Sequence, residues 1–79
     1  MDEKKFIENF ANQLDDTDAS VLRLDTKFRD IEEWSSIVAL SVMAMCAEEY
    51  DVFMSANEME NASQVSDIYN IVKSRIKDK

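Results

Sequence analysis

Apolar residues return at helical spacing from the start of the chain. Phe6, Phe10 and Leu14 stand at i, i+4 and i+8, with Ile7 beside them. On a helix of 3.6 residues per turn these positions form one stripe, which predicts a first helix over Glu3–Leu14. The Asp15-Asp16-Thr17-Asp18 cluster is expected to end it, because short polar side chains compete with the helix for backbone groups. From there to about Ser35 the periodicity lapses. Val21, Leu22, Leu24, Phe28, Ile31 and Trp34 recur irregularly and predict a long connection anchored to the core. Connections of this length in compact domains tend to be functional.

The periodicity resumes over Ser36–Tyr50 with Ser35 as N-cap, its hydroxyl accepting from a free amide of the first turn. Apolar residues there cover more than one side: Val38, Val42, Met45 and Cys46 on one, Ile37, Leu40 and Ala44 on another. Only Ser41, Glu48 and Glu49 are clearly polar. Such a helix either runs through the core or keeps an apolar strip for a partner. Ser55-Ala56-Asn57-Glu58 has the S-x-x-E pattern of a capping box and predicts a short third helix near Glu58–Asn61. Ser63 is then expected to cap a fourth helix, in which Val65, Ile68, Tyr69, Val72 and Ile76 form the stripe. Lys73, Arg75, Lys77 and Lys79 gather at its C-terminal end, where positive charge complements the helix dipole.

Composition narrows the picture. Glycine and proline are both absent, which argues against tight hairpins and for helices joined by irregular loops. The 79 residues make one domain, spanning 1–79, and the fold class predicted is all-α: a small four-helix bundle with three main helices, a short third one and a long first loop. One cysteine allows no intramolecular disulfide, and with no histidine there is no plausible zinc site. The usual acid–base side chain near neutral pH is also missing, so the chain is not expected to be an enzyme by itself.

Seventeen acidic against nine basic residues give a formal charge of −8. Such a surface repels nucleic acid and anionic membranes at long range, so no nucleic-acid partner is expected, and it steers toward basic patches on other proteins. Met1–Lys5 lacks the apolar stretch of a signal peptide. The longest apolar run, Ile37–Ala47, is broken by Ser41 and is too short to span a bilayer. A cytoplasmic monomer is expected.

The most informative stretch is Phe28-Arg29-Asp30-Ile31-Glu32-Glu33-Trp34-Ser35-Ser36-Ile37, followed by an apolar helix that ends Glu48-Glu49-Tyr50-Asp51-Val52. It resembles the acyl carrier and peptidyl carrier protein family. That family has a loop like Thr26-Lys27-Phe28-Arg29-Asp30, then an Asp-Ser-Leu motif opening its second helix and a Glu-Glu-aromatic-Asp-Ile/Val signature closing it. Matching the closing signature without gaps puts Ser36 on the family's modified serine and Ile37 on its leucine. The similarity runs from Phe6 through Ile76 and includes the short third helix.

The resemblance implies that the Ser36 hydroxyl receives 4′-phosphopantetheine from coenzyme A, through a phosphopantetheinyl transferase and magnesium. Cargo then rides as a thioester on the thiol of the arm. It also implies acyl-transferring or condensing enzymes with basic docking patches as partners. Ser35, Ile37, Leu40, Ser41, Ala44 and Glu48 are the residues expected to meet them. The chain departs from the family pattern at Ser35, where the family has aspartate, and lacks a common loop glycine. Val38, Ser41 and Ala47 stand where many carriers are polar or acidic, so helix two offers partners less charge.

Simpler readings stand beside these. A Ser-Ser pair before an apolar run is, taken alone, a helix cap. Trp34 reads as a loop anchor whose N–H needs a partner. Cys46 reads as a small buried hydrophobe. Met43, Met45, Met54 and Met59 are either adaptable packing or the lining of a pocket between helices two and three. An EF-hand loop begun at Asp16 would put Val21 where glycine is required and Lys27 where a bidentate glutamate is required, which rejects calcium. Two rivals to the carrier reading remain. One is an unmodified, carrier-like acidic interaction module. The other is an amino-acid carrier, D-alanyl or peptidyl, since Trp34-Ser35-Ser36-Ile37 also resembles the Trp-Asp-Ser-Leu of those proteins.

Overall fold

The structure is a computed structural model and describes residues 1–76. It contains four α-helices: α1 (Glu3–Ala11), α2 (Ser36–Tyr50), the short α3 (Ala56–Asn61) and α4 (Val65–Arg75). Single 3₁₀ turns at Ala19–Val21 and Phe28–Asp30 punctuate the long first connection. This is the all-helical bundle expected, with three main helices, one short one and a long first loop.

All four helices contribute to one core. Phe6, Phe10, Phe28, Val42, Cys46, Val65, Ile68 and Val72 are completely removed from solvent. Phe6 packs edge-on against Tyr69 of α4 at 5.4 Å between ring centres and lies 5.9 Å from Tyr50 of α2. Phe10 reaches Phe28 at 6.0 Å and stacks on Trp34 at 6.2 Å, while Phe28 and Trp34 meet at 4.5 Å. Aromatic pairs at such separations add to the stabilisation from buried area alone. The rings thereby tie the long loop to the helices. The one buried polar side chain among the described residues, Asn9, donates from Nδ2 to the Tyr50 hydroxyl at 3.0 Å.

α1 ends one turn earlier than its periodicity predicts. Beyond Ala11 the chain tightens, with the amide of Gln13 donating to Phe10 and that of Leu14 to Ala11. Leu14 remains buried. The reason lies in the loop. The Glu33 carboxylate accepts from the amides of Asp15 (2.7 Å) and Asp16 (2.9 Å) and from the Thr17 hydroxyl (2.6 Å), pulling these groups away from helical geometry. The same carboxylate closes the long connection on itself. Further along, the carbonyls of Leu24 and Thr26 accept from Ser66 (2.7 Å) and Val65 (3.0 Å), satisfying first-turn amides of α4 that the helix leaves free.

Three details correct the sequence reading. Val21 does not anchor the loop, being 65% exposed. In a 3₁₀ turn residues i and i+3 share a side, so half-buried Ala19 and buried Leu22 face inward and Val21 faces out. Ser63 is not the cap of α4, which is Gln64. Instead the Asp67 carboxylate turns back to accept from the amides of Ser63 and Gln64, each at 2.9 Å, and from the Ser63 hydroxyl. A cap at Ser63 would accept from the Val65 or Ser66 amide, and both already donate to the loop carbonyls of Thr26 and Leu24. α3 starts at Ala56 rather than near Glu58, because Ser55 is its N-cap: Ser55 Oγ accepts from the Glu58 amide (3.1 Å) and Glu58 Oε1 from the Ser55 amide (2.9 Å). At the end of α4, Lys73 and Arg75 occupy the last turn, while Lys77 and Lys79 lie outside the described residues.

Candidate functional site

Ser35 and Ser36 divide two roles at the start of α2. Ser35 is extended (φ −153°, ψ 173°), and its Oγ accepts from the Val38 amide at 3.3 Å, while its carbonyl accepts from Ala39. Ser36, the first helical residue, is exposed, and its hydroxyl makes no hydrogen bond among the described residues. Its amide and that of Ile37 also lack a partner there. The positive end of the α2 dipole is therefore open to solvent beside a free hydroxyl.

A groove of about 500 Å³ begins at these two serines and runs between α2 and α3. α2 supplies Ala39, Leu40 and Met43 to it, and α3 supplies Ala56, Met59 and Glu60. Trp34 and Arg29 line it from the long loop. The four methionines in question thus separate. Met45 and Met54 are core alone, Met59 is buried in the core and also reaches the groove wall, and half-buried Met43 lines the groove.

The expected contact residues of α2 are largely outward. Ile37 is 75% and Leu40 63% exposed; Ala44, Glu48 and Ser35 are exposed too, and Ser41 is half-buried. Ile37, Ser41, Ala44 and Glu48 follow one face at i, i+4, i+7 and i+11. Leu40 stands to one side and also lines the groove, so it joins the strip to the groove rather than simply extending it. Val38, Val42, Met45 and Cys46 turn the other way, Val42 and Cys46 completely buried and Val38 partly. A helix apolar all round is accordingly only half used by the core.

Charge accumulates at the far end of α2. Glu48 and Glu49 occupy its last turn, Asp51 caps it in the left-handed conformation (φ 56°), and no basic residue stands in that turn. Negative charge at a helix C-terminus opposes the dipole. Its presence there is not explained by helix stability. Elsewhere burial alone pushes the Cys46 thiol up to about 11, which keeps it protonated and unreactive in the fold. No group of three or more potential metal ligands occurs among the described residues, and no helix among them is long and apolar enough to cross a membrane.

Sequence reasoning did not single out Arg29, Ala56 or Glu60. Arg29 is far from α3 in sequence, and only the folded loop brings it there. No family model, curated protein or solved structure matches the chain.

Proposed function

We propose that this protein is an acyl carrier: Ser36 bears 4′-phosphopantetheine, and the chain presents thioester-linked acyl intermediates to enzymes of fatty-acid, polyketide or related biosynthesis. The observation that carries the reading is the position of an exposed, unbonded serine hydroxyl at the first residue of α2, at the mouth of a largely apolar groove. The residues fit the group. The free amides of Ser36 and Ile37 lie at the positive end of the dipole and favour a phosphodiester on that hydroxyl, a preference of about 0.3–1 kcal/mol at an exposed terminus. Ser35 caps the helix start and leaves the neighbouring hydroxyl unencumbered.

When bound, the group supplies a flexible arm and a terminal thiol that carries the acyl unit as a thioester. The chain itself is a non-catalytic shuttle, and tethering raises the effective concentration of cargo at each partner. Trp34, Leu40, Met43 and Met59 offer apolar surface that can shield an acyl chain from water. Ile37, Ala44 and Glu48 form a strip for enzymes with basic docking patches. The acidic end of α2, with Glu48, Glu49 and Asp51, gives those patches a target, and partner binding would relieve the repulsion with the dipole. The phosphopantetheinyl transferase is expected to use the same surface. The apolar groove favours an acyl cargo over an aminoacyl one, whose ammonium group would be desolvated there.

The second reading, an unmodified acidic interaction module, rests on Ser35 standing where carriers have aspartate. Intact-mass measurement after incubation with coenzyme A, magnesium and a broad-specificity transferase separates the two. A gain of one phosphopantetheine group supports the carrier. An unchanged mass overturns it.

A further inference from the structure

α3 cannot hold itself. At six residues it is far below the length at which an isolated helix is stable in water, so its position must come from outside. Met59 buries one contact in the core, and the Ser55–Glu58 capping box closes the N-terminal end. Glu58 also pairs with Arg75 of α4 at the surface. At the C-terminal end the cap residue Ala62 is buried in the core, and one side chain from elsewhere in the chain reaches the last carbonyls. Arg29, from the long loop, donates from Nε to the Ala62 carbonyl (2.9 Å) and from Nη2 to the carbonyls of Met59 and Glu60 (each 2.7 Å). These are the carbonyls that a helix terminus leaves without partners.

Arg29 is itself held in place. Its guanidinium lies 5.4 Å from the centre of the Phe28 ring, and Phe28 is buried against Phe10 and Trp34. The chain of contacts from core to α3 is therefore continuous: Phe10, Phe28, Arg29, then the end of α3. Arg29 forms no ion pair with a carboxylate among the described residues, although the chain carries a formal charge of −8. Its charge is committed to backbone carbonyls instead. Met59 and Glu60, two of the three residues it holds, are also part of the groove wall, and Arg29 lines the groove as well.

The geometry points to Arg29 as the positioning residue of the groove: it fixes α3 against the loop and so sets how wide the groove opens beside Ser36. The width limits the size of the group the groove admits, a consequence that rests on the carrier reading; the placement of α3 does not. A lysine at this position offers a single point of attachment and cannot reproduce a planar fork spanning three carbonyls.

The test uses the unmodified full chain, so failure of Ser36 modification leaves its outcome intact. Amide hydrogen exchange is followed in wild type, Arg29→Met and Arg29→Lys. Trp34 is the only tryptophan and lines the groove, so quenching of its emission by acrylamide reports groove access independently. Losing these charge-assisted bonds is expected to raise exchange across 57–62 by about tenfold or more in Arg29→Met, with α1 and α4 unchanged. Trp34 is expected to become more accessible to acrylamide in parallel, and Arg29→Lys to fall between the other two. Exchange rising equally in all helices would show a merely structural residue and overturn the inference. So would unchanged exchange over 57–62, or unchanged quenching.

Discussion

Replacing Ile37 or Leu40 by alanine should leave the fold almost as stable as before, whereas the same truncation at Val42, on the opposite side of the same helix, should damage it. Val42 is completely buried. Its truncation removes two methyl groups at about 0.8 kcal/mol each, and the residual cavity brings the loss to about 2–3 kcal/mol. Ile37 is 75% exposed, so about a quarter of a three-carbon loss is felt, roughly 0.6 kcal/mol. Alanine's better helix propensity returns about 0.4 kcal/mol of that. Leu40, 63% exposed, should lose roughly 0.9 kcal/mol and regain about 0.2 kcal/mol. Urea unfolding followed by circular dichroism at the helix band reads all three. With a slope of about 1 kcal/mol/M for a chain of this size, Val42→Ala should lower the midpoint by about 2 M or more. Ile37→Ala should stay within about 0.5 M of wild type. A loss at Ile37 equal to that at Val42 would refute the division of α2 into a core side and a free strip.

Further outcomes follow from the same structure. Hydrogen bonds from Arg75, with smaller contributions from Ser55, hold the Glu58 carboxyl at about 2, below its usual 4.5. A depressed carboxylate stabilises the fold above its unfolded value and loses that contribution as pH falls through the folded one. The stability gap between wild type and Arg75→Met should therefore be full above pH 4.5 and close towards pH 2; a gap constant across that window, in urea titrations, would contradict it. Cys46 should not react with a disulfide reagent until the chain unfolds, and labelling faster than unfolding would show the thiol is not buried as described. Asp51 holds a left-handed backbone at φ 56°, so Asp51→Gly should stabilise by about 0.5 kcal/mol and Asp51→Val destabilise by about 1–2 kcal/mol in thermal melts.

The helices were legible where one face alternates regularly with polar residues. Phe6 and Phe10 in α1, and Val65, Ile68, Tyr69 and Val72 in α4, declare their faces without help from the rest of the chain. The S-x-x-E pattern announced α3 but was read as opening it near Glu58 rather than at Ala56, while Ser35 marked the start of α2. What sequence did not reveal depends on partners distant along the chain. The early end of α1 follows from Glu33, and the displacement of Ser63 as a cap follows from Leu24 and Thr26, whose carbonyls take the amides it would have bound. α2 was ambiguous for a different reason: with apolar residues on every side, periodicity does not say which are buried. Ser36 and the strip below it were expected from the resemblance to carrier proteins, through the register of Glu48–Val52; the structure places Ser36 exposed at the first residue of α2. The groove was not legible. It is made by Arg29, Trp34 and Met59, which come together only when the loop closes over α3.

The proposed carrier function turns on one of two neighbouring hydroxyls. Ser35 spends its oxygen on the Val38 amide, whereas Ser36 has none to satisfy among the described residues. Tandem mass spectrometry of the chain treated with coenzyme A, magnesium and transferase, run beside Ser35→Ala and Ser36→Ala, distinguishes them directly. A single phosphopantetheine is expected on Ser36, still formed in Ser35→Ala and abolished in Ser36→Ala. An adduct on Ser35, or one that survives Ser36→Ala, would contradict it.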